Sequence, residues 1–176
     1  MSPRPSFIYR IVSYCLVFPI FRVIFRGHTM GNRNVPKDCS LVVVANHGSY
    51  FDPPILGHVL GRPVSFMAKA ELFRIPIIGA IIRGCGAYPV RRGVSDREAI
   101  RNAVSKLQSG WAVGVFLDGT RQPNGRVNNP KSGAALLAAR TGSWILPVAL
   151  INSHRALGSG SKLPIFVPIH VRIGEP

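Results

Sequence analysis

The sequence predicts an α/β fold: a single layered domain with a mixed, largely parallel sheet flanked by helices, plus an N-terminal interfacial membrane helix. Three observations carry this. Short β-branched runs alternate with stretches of helical pattern along most of the chain. The length, 176 residues, suits one core and leaves no room for a separate cofactor domain. Three polar clusters, at 46–52, 91–92 and 118–121, each follow directly on a strand candidate, and strand ends are where open α/β sheets gather their sites.

The elements follow in order. Leu41 to Ala45 is a β-branched run that reads as a buried strand. Asp52 with Pro53 reads as an N-cap followed by proline at the first helical position, opening a helix from Pro53 to Leu60. Val64 to Ala68 is a strand. Ile75 to Ile82 is apolar almost all round, a helix that is either buried or dips into a membrane. Ala87 to Val90 is a short strand. Ser95 and Glu98 form a capping box and Gly110 a stop signal, which places a helix over Asp96 to Ser109. Trp111 to Leu117 is a strand and Pro130 to Thr141 a helix. Trp144 to Ile151 and Ile165 to Ile173 complete the strands. The stretch Gly158 to Lys162 is a flexible loop.

The N-terminal segment is apolar from Phe7 to Arg26. The run free of charge, Ile11 to Phe21, is about 16 Å long as a helix, and a bilayer core is about 30 Å thick. Pro19 would kink it. No small-residue cleavage site follows, so the segment reads as a helix lying in the membrane interface, with Arg4, Arg10, Arg22 and Arg26 near the headgroups. The expected division is 1–27 for this helix and 28–176 for the layered domain.

Composition narrows the function. Lys+Arg is 22 against 7 for Asp+Glu, a formal net charge of +15, so the surface favours a polyanion, a phosphorylated substrate or an anionic bilayer. Cys15, Cys39 and Cys85 are scattered and form no disulfide framework, which fits a reducing compartment. The five histidines show no metal-ligand spacing, so no metal is expected. Serine-hydrolase and nucleotide-loop signatures are missing.

The first polar cluster holds His47 and Asp52. Across a strand–turn–helix junction this spacing can bring the two side chains together, with Gly48 supplying an unusual backbone angle at the turn. Asp52 would then orient the imidazole, leaving the other ring nitrogen as a general base toward a hydroxyl. An ordinary N-cap at Asp52 competes with this reading. Ser49 lies outside any nucleophile-elbow pattern and is taken as a turn residue.

Asn46 to Asp52 resembles the N-H-x-x-x-x-D motif of the glycerophospholipid acyltransferases. Lys69 to Gly79 is similar to that family's stretch after the second strand. Gly86 to Arg92 resembles its second motif, and Phe116 to Arg121 its F-P-E-G-T-R motif. Lys131 to Ala135 and Leu146 to Val148 resemble the helix and strand that close the pattern. The resemblance implies transfer of a fatty acyl group from acyl-CoA or acyl carrier protein to the hydroxyl of 1-acyl-glycerol-3-phosphate, giving phosphatidic acid, with no further cofactor. It implies His47 as general base and Asp52 as its orienting partner. It places Arg92, Asp118, Gly119, Thr120 and Arg121 around the acceptor phosphate. Two departures stand out: Asp118 replaces the family's usual Glu, shortening the reach by one methylene, and Leu117 replaces the usual Pro.

The expected partners are an anionic membrane surface, a lysophospholipid acceptor and the acyl donor, and the expected location is monotopic at the cytoplasmic face. Glycerol-3-phosphate or another lysophospholipid is the alternative acceptor. A basic protein binding nucleic acid is a remote alternative, because the basic residues are dispersed and no nucleic-acid motif is present.

Overall fold

The structure is a computed structural model that describes residues 5–90, 97–158 and 163–176. Seven strands form one sheet in the order β1-β7-β6-β2-β5-β3-β4. They are β1 (His28–Met30), β2 (Leu41–Ala45), β3 (Val64–Lys69), β4 (Tyr88–Val90), β5 (Ala112–Phe116), β6 (Trp144–Ile151) and β7 (His170–Ile173). β6, β2, β5, β3 and β4 pair in parallel, while β7 runs antiparallel to β6 and carries β1 on its outer edge. The sheet is therefore mixed and largely parallel, as the sequence predicts.

Parallel strands need crossovers, and helices supply them. α1 is the helical stretch Phe7–Ile24. It is followed by α2 (Asp52–Val59), α3 (Pro76–Gly84), α4 (Arg97–Gln108), α5 (Gly133–Thr141) and the short α6 (Ser153–Ala156). The two faces of the sheet bury separate cores. Leu41, Val43, Ala45, Leu146, Val148 and Leu150 pack with α2 residues Ile55 and Leu56 and with α1. On the other face Val42, Val113 and Val115 pack with Ala99, Ala103 and Leu107 of α4 and Ala134 and Leu137 of α5. This is the period-2 alternation of a sheet covered on both sides.

Several boundaries differ from the sequence reading. The last strand is only His170–Ile173: Pro168 lies in the expected run, and proline cannot donate to a ladder. Helix α2 begins at Asp52 with Phe51 in the capping position, so Asp52 is not the N-cap. α5 starts at Gly133, not at Pro130. α3 is not buried: only Gly79 is, and Ile77 and Ile78 face outward. The capping box falls partly, and Arg92 wholly, outside the described residues. The sequence reading missed β1, α6 and the 3₁₀ turns Asn32–Asn34 and Ala70–Arg74.

α1 is longer than the charge-free run suggested. Its 18 residues span about 27 Å, and by length and composition the helix suffices to cross a membrane. Chain direction continues through Pro19, with widened π-type turns at Val12–Val17 and Ile20–Ile24 around it. Its exposed face is largely apolar, unlike that of a water-facing helix. Tyr9 and Ser13 of the helix and Ser6 before it meet the domain, while Arg10 and Arg22 stay exposed: Tyr9 Oη donates to the Gly57 carbonyl at 2.7 Å, Ser13 Oγ and His58 Nδ1 are 2.9 Å apart, and Ser6 Oγ donates to the Gly84 carbonyl. Burial pushes the Tyr9 hydroxyl up to about 12 and lowers His58 from its ordinary value. Phe7, Tyr14, Leu16, Phe18 and Val23 project outward. Val17, Phe21 and Phe25 nonetheless belong to the first core, with Phe21 and Phe25 almost wholly buried. Phe21→Ala is expected to lower unfolding free energy by about 3 kcal/mol, as for other large-to-small core changes, measured by urea denaturation. An unchanged midpoint would mean that α1 is not an integral part of the core.

Candidate active site

Because β2 and β5 are parallel neighbours, with Ala45 opposite Phe116, the polar segments that follow them emerge side by side. The crossovers diverge here: β2 leads through α2 toward β3, whereas β5 leads through α5 to β6 on the other flank of β2. Such a divergence opens the crevice where α/β sheets place their ligands.

His47 and Asp52 meet in that crevice. Nδ1 of His47 lies 2.8 Å from Oδ2 of Asp52, and the same oxygen accepts the N–H groups of Gly48 at 2.7 Å and Ser49 at 2.8 Å. Asp52 is fully buried and His47 is 8% exposed. The two backbone groups can only donate, so Oδ2 is an acceptor. Nδ1 therefore donates to it, and in the neutral ring Nε2 is the nitrogen left to accept a proton. The Asp52 side chain closes the loop that precedes its own helix instead of capping that helix. Oδ1 of Asp52 is buried with no hydrogen-bond partner among the described residues.

Gly48 serves this loop through its size, not its backbone angle: it is not among the positive-φ glycines. A Cβ there would lie 2.6 Å from Cβ and 2.8 Å from Cα of His154, on α6. Ser49 is a turn residue, as expected. Its buried Oγ donates to the Leu157 carbonyl at 3.1 Å and accepts from the Phe51 N–H at 3.2 Å, so it is not presented as a nucleophile. Asn46 clasps the base of the loop. Its amide donates to the carbonyls of Gly125 and Leu150 and accepts from the Leu150 N–H, tying β2 to β6 where the strands part.

The third cluster completes the site. Phe116, the last residue of β5, stacks under the His47 ring at 3.9 Å between centroids and 15° between planes. Phe66 of β3 continues the stack at 5.7 Å, and Gly114 leaves the space its ring needs. Asp118 turns inward: its Oδ1 accepts the N–H groups of Asn128 at 3.0 Å and Asn129 at 2.6 Å. The shorter acidic side chain thus braces the 119–130 loop from within. Gly119 adopts φ +68°, which suits glycine, and with Thr120 it is exposed at the crevice. Gln122 N–H donates to the His47 carbonyl at 2.7 Å, pinning the third cluster to the first. The guanidinium of Arg121 lies 3.4 Å over the Tyr50 ring, and its Nη1 is buried with no hydrogen-bond partner among the described residues.

The structure thus brings His47, Asp52, Asp118, Gly119, Thr120 and Arg121 to one edge of the sheet. The strand leading to Arg92, β4, ends on that same edge, beside β3. The sequence reading did not single out Asn46, Phe116 or Tyr50 as functional. Phe116 had a signal, being the last residue of a buried strand just before a polar motif. Among the described residues no group of His, Cys, Asp or Glu is arranged to hold a metal ion.

The chain is similar to several known proteins. The chain is 28% identical over 173 residues to the 1-acyl-sn-glycerol-3-phosphate acyltransferase of Borreliella burgdorferi, covering 95% of this chain and 68% of that protein. It is 30% identical to the enzyme of that name from Bacillus subtilis, covering 81% and 69%. Against the chloroplastic relative from Arabidopsis thaliana, 30% identical, it spans 89% of this chain but only 43% of that one. The crystal structure of the 1-acyl-sn-glycerophosphate (LPA) acyltransferase PlsC from Thermotoga maritima superposes with a TM-score of 0.77 at 29% identity, over 96% of this chain and 66% of that one. Residues 27–151, from the end of α1 through β6, match the acyltransferase family, and they contain every described residue of the crevice; the chain belongs to that family.

Proposed function

We propose that the protein transfers a fatty acyl group from acyl-CoA or acyl carrier protein to the free hydroxyl of 1-acyl-glycerol-3-phosphate. The observation that carries this is the buried His47–Asp52 pair, which engages Nδ1 and leaves Nε2 to act as the base. Nε2 takes the hydroxyl proton as the oxygen attacks the thioester carbonyl. The ester C–O bond forms, the C–S bond breaks, and the proton passes to the departing thiolate. Asp52 holds the ring and offsets the positive charge that develops on it. Arg121, with Arg92, Gly119 and Thr120, takes the acceptor phosphate, for which guanidinium and turn N–H groups are suited. Asp118 supports that grip by holding the loop. The mechanism asks for no metal and no cofactor beyond the acyl donor. The relatives named for 1-acyl-glycerol-3-phosphate favour this acceptor over glycerol-3-phosphate.

The outward apolar faces of α1 and α3 support a monotopic membrane location. Val23 is 73% and Ile77 75% exposed, far more apolar side-chain surface than water favours on two adjacent helices. On this reading the helix within 1–27 seats the 28–176 domain on the anionic cytoplasmic leaflet, to which a net charge of +15 is attracted. The test is an acyl-transfer assay on anionic vesicles with 1-acyl-glycerol-3-phosphate, glycerol-3-phosphate and a lysophospholipid bearing a headgroup, each with acyl-CoA and acyl carrier protein donors. The expected result is the highest kcat/KM for 1-acyl-glycerol-3-phosphate. Transfer to none of them, or salt-sensitive binding to DNA in its place, would overturn the reading.

A further inference from the structure

The crevice contains a contact that neither the base nor the phosphate grip explains alone. Tyr50 lies in the loop between His47 and Asp52, yet its ring meets a residue of the other motif: Cζ of Arg121 stands 3.4 Å above the ring centroid. Tyr50 is itself 60% exposed, so the ring is not there to fill the core. It is held from behind, its N–H donating to the Leu157 carbonyl at 3.3 Å, while Ser49 and Asp52 on either side are buried. Arg121 is half-buried, with Nη1 lacking a hydrogen-bond partner among the described residues. A long arginine with an unsatisfied donor has many rotamers available, and ordering such a side chain costs about 2 kcal/mol. A flat aromatic face selects the orientations parallel to it, and a planar guanidinium matches that face where an ammonium does not. The neighbouring residue is fixed as well, through the Gln122 N–H to the His47 carbonyl. Base and guanidinium are thus joined at two points, one through the backbone and one through the Tyr50 ring.

We propose that Tyr50 is a positioning residue that sets acceptor specificity: by stacking on Arg121 it holds that guanidinium ready for a phosphate-bearing acceptor at a fixed separation from His47. This rests on the reading that Arg121 grips the acceptor phosphate. Tyr50 touches no reacting atom. It acts through Arg121, so its effect falls on acceptor binding and on the preference for acceptors that carry a phosphate. The ring matters and the hydroxyl does not.

The test compares Tyr50→Leu and Tyr50→Phe in the full chain on vesicles. Tyr50→Leu is expected to raise KM for 1-acyl-glycerol-3-phosphate about five- to tenfold, the range of a partly desolvated cation–π contact. KM for the acyl donor stays within twofold, and the preference over monoacylglycerol, which lacks the phosphate, shrinks by the same factor. Tyr50→Phe restores wild-type values within twofold. In parallel, labelling of Arg121 by phenylglyoxal, read by peptide mass, is faster in Tyr50→Leu and is slowed by added glycerol-3-phosphate. An unchanged acceptor KM in Tyr50→Leu, an equal rise in donor KM, or failure of Tyr50→Phe to restore the acceptor KM would overturn the proposal. If the wild-type protein acylates none of the acceptors, the functional reading fails and the labelling decides: faster Arg121 labelling in Tyr50→Leu keeps the stack as a guanidinium-positioning device, and equal labelling removes it.

Discussion

His47→Ala is expected to lower kcat for acyl transfer by about 10²–10⁴-fold, the range that a positioned general base contributes. The geometry supports the upper part of that range. The ring is held at two places: Nδ1 by Asp52 at 2.8 Å and the face by Phe116 at 3.9 Å. Both constraints narrow the directions in which Nε2 can point, and an oriented base is worth far more than the same imidazole in solution. Alanine also removes the partner of the buried Asp52 oxygen, but the Gly48 and Ser49 N–H groups remain on it, so the loop persists. The melting temperature is therefore expected to change by only a few degrees, and vesicle binding, which the proposed membrane seating assigns to α1 and α3, is expected to stay at the wild-type level. Steady-state kinetics with vesicle sedimentation on the same preparation check this. A variant retaining more than a tenth of wild-type kcat would remove His47 from the mechanism.

The features of the fold legible from sequence were those encoded by local periodicity. β6 falls at Trp144–Ile151, where the apolar run placed it, and β2 at Leu41–Ala45. β2 is a central strand with a buried β-branched run, whereas β6 alternates, with Leu146, Val148 and Leu150 facing the core between more exposed residues. Ile165 to Ile173 alternates apolar residues and so reads as one strand, but Pro168 within it has no N–H to give to the ladder. β1 was missed for the opposite reason. His28, Thr29 and Met30 carry no strand pattern, and only pairing with β7, some 140 residues later, makes them a strand. No local signal can contain such a partner.

The site divides in the same way. His47 and Asp52 were legible because five residues across a strand end leave little freedom. Asp52 was given two competing roles, and the structure separates them: its carboxyl group faces back into the loop, and the helix begins with Phe51 in the capping position. Gly48 was assigned to backbone freedom, whereas the contact with His154, more than a hundred positions away, shows that it answers to space. Asp118 looked like a shortened contact to substrate. Its bonds to Asn128 and Asn129 make it a brace, so the lost methylene acts on loop position first. The partners of Phe116 and Tyr50 required the sheet order, since their rings meet His47 and Arg121 across strands and loops that only the β2–β5 pairing brings together.

Asp52→Asn and Asp52→Ala are expected to separate two things that this residue does. Asparagine can keep an oxygen where Oδ2 stands and continue to accept from Gly48, Ser49 and Nδ1 of His47. What it removes is the negative charge facing the ring as His47 becomes an imidazolium. In a fully buried site such a charge is poorly replaced by solvent. The expected loss in kcat is about 10²-fold or more, which corresponds to about 3 kcal/mol of transition-state stabilisation. The amide NH₂ then occupies the place of Oδ1, where the described residues offer no partner, so a loss of about 1 kcal/mol in stability accompanies it. Alanine goes further: it leaves two buried backbone N–H groups and Nδ1 without an acceptor. Each unsatisfied donor costs about 1–3 kcal/mol, so Asp52→Ala is expected to lose several degrees of melting temperature more than Asp52→Asn. If Asp52 acts only through His47, adding Asp52→Asn to His47→Ala lowers kcat by less than about threefold further, since residues that act as a unit are not additive. Full multiplicative loss in the double variant would show that Asp52 has a role independent of the imidazole, and wild-type kcat in Asp52→Asn would show that its charge has none.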